Sequence, residues 1–422
     1  MNWRSVSNLF LISICWAGIA FGQETETRPK LAGLTTAYYH NSHADLILSR
    51  FPQTDTLDFK GPKQPADLVS LYVDQFPEND TSREISEEYG IPIHADIKSA
   101  LTLGTGELAV DGVLLIAEHG RYDKSETGQT IYPKRRFFAE VIKVFEESGR
   151  VVPVFIDKHL ADNWTDAKWI YDEARRLKIP LMAGSSIPVL WRYPETDTKR
   201  DGKLKEILAV SYHTLDAYGF HALEAVQALA ERREGGETGL KSVQTFVGDA
   251  VWQAGENGVW SQQLLDAAVA KFKVRPIPTD QTVRSLMDKS KKEPVLFSIE
   301  YEDGLRANLL TLNGAVAEWS AAWKYAGDDS IDSTLFWTQE ARPFAHFSAL
   351  LGEVNSMMLT GDPAYPVERT LMTSGVLDAC LISMKNDGKR LETPWLREIE
   401  YNSDWNWKQP PPPPPDRPMN GQ

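Results

Sequence analysis

Arg150 to Gly184, RVVPVFIDKHLADNWTDAKWIYDEARRLKIPLMAG, reads as strand, turn, helix and strand. Val151, Val152, Val154, Phe155 and Ile156 make a β-branched and aromatic run of the length a buried parallel strand needs, and Ile179 to Met182 make a second. Between them Trp169, Ile170, Ala174 and Leu177 recur at helical spacing. Two parallel strands joined by a helix imply a doubly wound sheet, and ligands on such sheets sit outside the carboxyl ends of the strands. Asp157, Lys158 and His159 lie at that end.

The same alternation extends outward. Strands are predicted at Lys30–Thr36, Asp67–Asp74 and Gly112–Ala117, and helices from Ser42, over Ser82–Tyr89 and over Arg136–Glu147. This is the pattern of a Rossmann-like parallel α/β domain over residues 30–192. Beyond Arg192 a strand near Ile207–Tyr212 precedes a long helix, Leu215 to Arg232, and then strands follow one another: Val243–Val247, Val295–Tyr301, Arg306–Leu312, Val316–Trp323 and Thr334–Trp337. Glu302-Asp303-Gly304 reads as a hairpin turn, so residues 193–401 are expected to form an open, mostly antiparallel sheet, with helices Phe347–Leu359 and Val367–Met384 on one face. The other face, left exposed, could carry a homo-oligomer interface, although nothing in the residues alone demands one. Residues 402–422, with Pro410 to Pro415, read as an extended proline-rich tail without a core of its own.

A chain of 422 residues exceeds what one core accommodates. Its net charge of -14, with no local Lys/Arg cluster, excludes nucleic acid as a partner. Residues 1–22 read as a cleavable signal: Arg4, the apolar run Leu9 to Ala20, and the small-x-small site Ala20-Phe21-Gly22. About a dozen apolar residues fall short of the ~20 a membrane span needs, so export to the periplasm or beyond is expected rather than an anchor. With Cys15 removed, Cys380 is left without a disulfide partner. No twin arginine precedes the apolar run, so the expected route threads the chain unfolded and without a bound dinucleotide.

Several short motifs then fall in order. Strand Val113–Ala117 ends in Glu118-His119, and the turn after the next strand is Asp157-Lys158-His159. AYGFHALEAVQAL, from Ala217, opens a helix, and PVERTLMTSGVLDACLISMKNDGKRLETPWL, from Pro366, ends the folded part. In this order they resemble the glucose-fructose oxidoreductase and inositol dehydrogenase family (Gfo/Idh/MocA) from about Lys30 to Tyr401. The resemblance implies NAD or NADP in the first domain and a sugar, polyol or related substrate against the sheet of the second. It sets Lys158 on the lysine that orients the reacting hydroxyl and His221 on the histidine that accepts its proton, hydride leaving to the nicotinamide. Gly219 and Glu224 match neighbouring positions. The family's aspartate four residues before the histidine is Ala217 here, with Asp216 one position earlier, ~100° around a helix. For Lys158 the plainer reading is a solvated loop lysine, and for His221 a helix histidine packed on the sheet.

The first turn departs from the pattern. Gly-x-Gly-x-x-Gly is needed there because absent side chains let backbone amides approach a pyrophosphate. Here Gly33 alone precedes Leu-Thr-Thr-Ala-Tyr-Tyr-His-Asn-Ser-His. Thr35, Thr36, Asn41 and Ser42 are the candidate phosphate partners, crowded by Tyr38, Tyr39 and His40. Asp74, ending the second strand, is the candidate ribose-binding acid, and His119 joins the cofactor-binding set. Gly104-Thr-Gly-Glu-Leu-Ala precedes a strand and reads as a loop. The loss of the glycines and the expected export both point to a member that has abandoned ordinary nicotinamide binding. Three functions compete: an oxidoreductase-like protein for a carbohydrate-like ligand, a non-catalytic exported binding protein on the same fold, and a metal site built from His40, His43, His119 and His159.

Overall fold

The computed structural model describes Met1 and residues 28–413; the expected signal segment and the end of the tail fall outside the described residues. The first domain carries strands β1 (Lys30–Thr35), β2 (Asp67–Val73), β3 (Ile93–His94), β4 (Gly112–Ile116), β5 (Val154–Asp157) and β6 (Leu181–Gly184). They form one parallel sheet in the order β3-β2-β1-β4-β5-β6, the doubly wound arrangement the alternation predicts. Between them run α1 (His43–Leu48), α2 (Ser82–Tyr89), α3 (Ile97–Thr102), α4 (Lys134–Ser148) and α5 (Trp164–Leu177). Side chains alternate across a strand, so each face has its own core. Val113, Leu115, Val154 and Ile156 pack toward Ile97, Phe137, Val141 and Ile170, whereas Leu114, Ile116, Phe155 and Met182 face the other way.

The second domain begins with β7 (Trp191–Tyr193), two residues before the expected border, and continues with β8 (Leu204–Ser211) and α6 (Phe220–Ala230). β9 (Glu237–Thr238) pairs only with the last strand, β16 (Glu400–Tyr401). The main sheet adds β10 (Leu240–Val247), β11 (Val295–Tyr301), β12 (Arg306–Thr311), β13 (Trp319–Tyr325), β14 (Asp332–Trp337) and β15 (Leu391–Glu392). Its order is β15-β10-β11-β12-β8-β13-β14-β7, antiparallel except where β12 meets β8. Helices α7 (Asp249–Glu256), α8 (Gln262–Val269) and α9 (Val283–Ser290) interrupt the strands, and α10 (His346–Thr360) and α11 (Glu368–Lys385) follow them.

Three features differ from the sequence reading. First, α10 does not cover the second sheet: Phe347, Leu350, Val354 and Met357 pack with Leu114, Ile116 and Phe155 on the open face of the first. Only α11 lies with α6 against the second sheet. Second, the central part of the sheet face expected to be open is covered by this chain. Consecutive residues Ile207, Leu208, Ala209 and Val210 are all buried, which requires cover on both faces, and α8 lies on β8, β13 and β14 opposite α6. Third, the described part of the tail is anchored. Trp405 packs on Tyr365 and under Arg369, and Trp407 donates to Leu190 O at 2.8 Å. Gln409 accepts from Arg192 N at 2.9 Å and donates to Arg192 O at 3.2 Å, satisfying the free side of edge strand β7. A chain ending at Asn402 is therefore expected to lose roughly 3–5 kcal/mol, mostly from the two tryptophans, measured by denaturant unfolding against the full chain.

Candidate active-site cleft

The carboxyl ends of β1, β4, β5 and β8 meet the head of α6 around two adjoining cavities. The larger, about 560 Å³, lies among Glu118, Lys124, Tyr132, His159 and Asp216. The smaller, about 340 Å³, lies among His43, Tyr218, His221, Trp319 and His346. Lys158, His119, His213, Thr214 and Ala217 line both. Lys158 and His221 thus face a common space although they lie 63 positions apart, with α5 and three strands, β6, β7 and β8, between them.

The backbone at this rim is held in a sparsely populated conformation. Lys158 has φ 60°, His119 φ 71°, His213 φ 64° and Asn41 φ 62°, and all four line the smaller cavity. Left-handed backbone without glycine costs of order 1–3 kcal/mol per residue and gathers where function over-determines it. For Lys158 the conformation follows from its N–H donating to Gly184 O at 3.1 Å, which turns the chain sharply at the end of β5 and aims the side chain into the cleft.

The ammonium group of Lys158 meets a buried charge network. Glu118 accepts from Lys134 Nζ at 2.9 Å through one oxygen and from Lys158 Nζ at 3.2 Å through the other. Lys134 is wholly buried and also donates to Asp157 O at 2.9 Å and His159 O at 2.8 Å. Burial works against ionising Glu118, yet the two lysines hold its carboxyl well below the usual range. Burial likewise opposes the charge on Lys158, but Glu118, Asp157 and Tyr132 raise its pKa above the ordinary lysine value. The site therefore presents a fixed cation.

Asp216 and His221 come from the head of α6, where the sequence predicts one continuous helix. The structure instead places a π-helical turn at Leu215–Gly219 before α6. The wider turn swings Asp216 into the larger cavity, where it accepts from Thr130 N at 3.1 Å, and leaves His221 lining the smaller. Burial raises the pKa of Asp216 and depresses that of His221 well below its usual value, with Lys158 acting in the same direction on the histidine. His221 is thus held as a neutral imidazole, a weaker base than a free histidine. Glu224 has no access to the cleft: it is fully buried, accepting from Thr370, Thr373 and Ser185 N, and braces α6 against α11 and β6. Gly219 has φ -62°, and a methyl group there would touch only Phe297 at 3.8 Å, so nothing local demands glycine.

No family model matches the sequence, and no curated protein does. Solved structures do match. GenD2 from gentamicin A biosynthesis, in complex with NAD, is similar over 86% of this chain and 96% of its own, with a TM-score of 0.53 and 13% identity. Apo scyllo-inositol dehydrogenase from Lactobacillus casei gives 0.52 and 11% over 87% and 99%. An oxidoreductase from Agrobacterium radiobacter in complex with NAD+, L-tartaric acid and magnesium gives 0.51 and 11% over 87% and 98%. The fold is that of the Gfo/Idh/MocA dehydrogenases.

Tested against the dinucleotide that this fold holds in such structures, the first turn of this chain does not fit. Gly33 lies inside β1, not in the turn; a Cβ there would stand 2.9 Å from Leu71 and 3.0 Å from Leu48, so its absence serves sheet–helix packing. Thr35 donates to Ile116 O at 3.0 Å, Thr36 to Glu118 O at 2.7 Å, and both are fully buried. Ser42 caps α1 and accepts from Tyr39 N at 3.1 Å. The amides of Asn41 and Ser42 are engaged as well, donating to Asp45 Oδ2 at 2.8 Å and to Tyr39 O at 2.8 Å. That carboxylate, charged and paired with Arg342, occupies the anion position at the head of the helix. The Asn41 side chain also turns to Arg342, accepting at 3.0 Å. Asp74 accepts from Tyr72 at 2.7 Å and Tyr122 at 2.6 Å and pairs with Arg136, so both its oxygens are already engaged within the protein. The loop after β4 closes over that edge, with Gln75 and Arg121 exchanging hydrogen bonds of 2.9 and 3.1 Å. Of the residues assigned to the cofactor, Thr35, Thr36, Ser42 and Asp74 are taken by the protein itself, and His119 alone is set in the cleft with an unpartnered nitrogen.

The four histidines proposed for a metal do not converge. His40 is exposed beside Asp45, His43 pairs with Asp157, and His159 turns to Lys134 and the larger cavity. Among the described residues no group of three or more His, Cys, Asp or Glu is placed to hold a metal ion. The sequence reading missed Lys134, His213 and His346, and the pairing of His43 with Asp157. Only the last had any signal, since both residues lie at strand ends of the same edge.

Burial pushes His119, His159 and His346 down to about 3. Because the unfolded chain protonates near 6.5, it takes up these protons first as pH falls, so the stabilisation present above pH 6.5 is lost progressively below it. Each histidine should cost on the order of 2 kcal/mol at pH 5. Denaturant midpoints at pH 7.5 and pH 5 should fall accordingly, and His346→Asn should fall less steeply than wild type.

Proposed function

We propose that this oxidoreductase-fold protein binds a small, hydroxylated, carbohydrate-like molecule between Lys158 and His221 and does so without a dinucleotide. The observation that carries the proposal is the gathering of unpartnered buried polar atoms at this one place. His119 Nε2, Asp157 Oδ1, His221 Nδ1 and His346 Nδ1 belong to residues that line the smaller cavity, and Asp216 Oδ1 to one that lines the larger. Buried polar atoms without partners are rare, and a ligand rich in hydroxyl groups, each both donor and acceptor, would satisfy neutral imidazoles and carboxylates alike. A cavity of about 340 Å³ is within the range of small-molecule sites. Lys158 would hold a ligand oxygen carrying developing negative charge, and His221 would accept a hydroxyl proton. Export, which the first 22 residues suggest, agrees with a buried lone thiol at Cys380 and with independence from a cytoplasmic cofactor.

A second reading, dehydrogenation with NAD or NADP, draws on the NAD seen in the GenD2 structure and is opposed by the occupied turn. Thermal melting separates the two. Millimolar NAD or NADP should leave the melting temperature unchanged, whereas a ligand at 100 times its dissociation constant should add ~2.7 kcal/mol. A panel of sugars, polyols and sugar acids should contain a stabilising member whose effect disappears in Lys158→Ala and in His221→Ala. Stabilisation by a dinucleotide would reinstate the dehydrogenase reading.

A further inference from the structure

His43, the first residue of α1, stands at the head of a helix whose anion position Asp45 already fills. Its Nδ1 lies 2.6 Å from Asp157 Oδ2, and Asp157 is 1% exposed. An ionised carboxylate only accepts, so Nδ1 donates and Nε2 keeps its lone pair, directed to the far side of the ring. The ring is fixed edge-on by His119, with centroids 5.4 Å apart, and by Phe347 at 5.0 Å and 84°. It lines the cavity that holds Lys158 and His221. A base oriented by a buried carboxylate, facing a cavity with a fixed cation, is the constellation of proton abstraction next to a carbonyl group.

We propose that His43 and Asp157 form a general-base pair that exchanges the proton on the carbon beside a carbonyl group of a sugar or sugar acid, with no nicotinamide taking part. His43 Nε2 takes the proton; the C–H electron pair becomes the C=C bond of an enediolate, and the C=O π pair moves onto the oxygen next to the Lys158 ammonium. Return of a proton from the imidazolium to the same face of that carbon restores the carbonyl compound, now carrying a solvent-derived hydrogen once the imidazolium has exchanged. Nothing is oxidised or reduced, so no second reactant is required. Asp157 is the positioning residue, holding the tautomer and orientation of the base. The proposal rests on the ligand reading above, and narrows it to carbonyl sugars.

Two measurements test it. In D2O, without added dinucleotide, D-fructose, D-glucuronate and 2-keto-D-gluconate are followed by proton NMR, with binding of each read separately by thermal shift. At least one should bind and lose its α-carbon proton signal, and His43→Asn should slow that exchange by about 10²–10⁴ while binding is retained. Binding without exchange, or exchange unaltered in His43→Asn, would overturn the assignment. The second measurement needs no ligand: carbethoxylation of His43 by diethyl pyrocarbonate, read by peptide mass spectrometry, should slow by about tenfold in Asp157→Asn, the size of one lost charged hydrogen bond. Asp157→Ser serves if Asp157→Asn does not fold. Should none of the sugars bind, the ligand reading fails while the labelling still decides the pair: slowing supports it, and equal labelling in wild type and variant removes it.

Discussion

One carboxylate, Glu118, organises the cleft. It lies buried between two ammonium groups, and Lys134 at the same time ties down the carbonyls of Asp157 and His159, so that α4 and the ends of β4 and β5 are joined through a single ionic centre. Such a cluster is a poor source of net stability, since desolvating three charges offsets most of their attraction. Its worth is positional. Removing Glu118 would strand two buried cations, and removing Lys134 would release the turn that gives Lys158 its left-handed backbone.

A second ionic contact lies at the head of α1. The head of a helix attracts an anion, and in this chain Asp45 supplies it internally from the first turn of α1. Arg342, from the loop after the second sheet, pairs with that carboxylate, and Arg50 reaches the carbonyl of Phe344 in the same loop at 3.1 Å. Both contacts tie the loop after the second sheet to α1 and the turn that follows it in the first domain. Tyr38, too bulky for a phosphate turn, becomes core, fully buried with its hydroxyl 2.7 Å from Ser49.

What was legible in the sequence follows from what is local. α2 and β11 fall on the predicted residues because amphipathic period and flanking turns act over a few positions. The resemblance likewise located Lys158 and His221, since each follows a strand or opens a helix whose pattern is clear. Three things were not legible. The π-helical turn at Leu215–Gly219 has the composition of an ordinary first helical turn, so the direction of Asp216 depended on a backbone detail without a signature. The role of Gly33 depended on Leu48 and Leu71, which only the fold brings to it. The helices α7 and α8 span only eight residues each, too short for a helical period to stand out, and the covering of the second sheet by α8 shows only in the burial of both faces of β8.

That cover bears on function. In an open sheet the exposed face competes with the cleft as the place where another molecule binds, and here the chain closes the central part of the face with Leu264, Leu265 and Ala268. The edge strand β7 is closed by Gln409 in the same way. At the cleft the polarity is left unfinished instead, with left-handed backbone at four strand ends and imidazole nitrogens without partners. Both are unfavourable to folding, and a sequence free of demands at this place would relieve them with glycines or apolar side chains. Together with a carboxylate-held imidazole they set the cleft apart from the rest of the described surface, and it is on these features that the proposed chemistry rests.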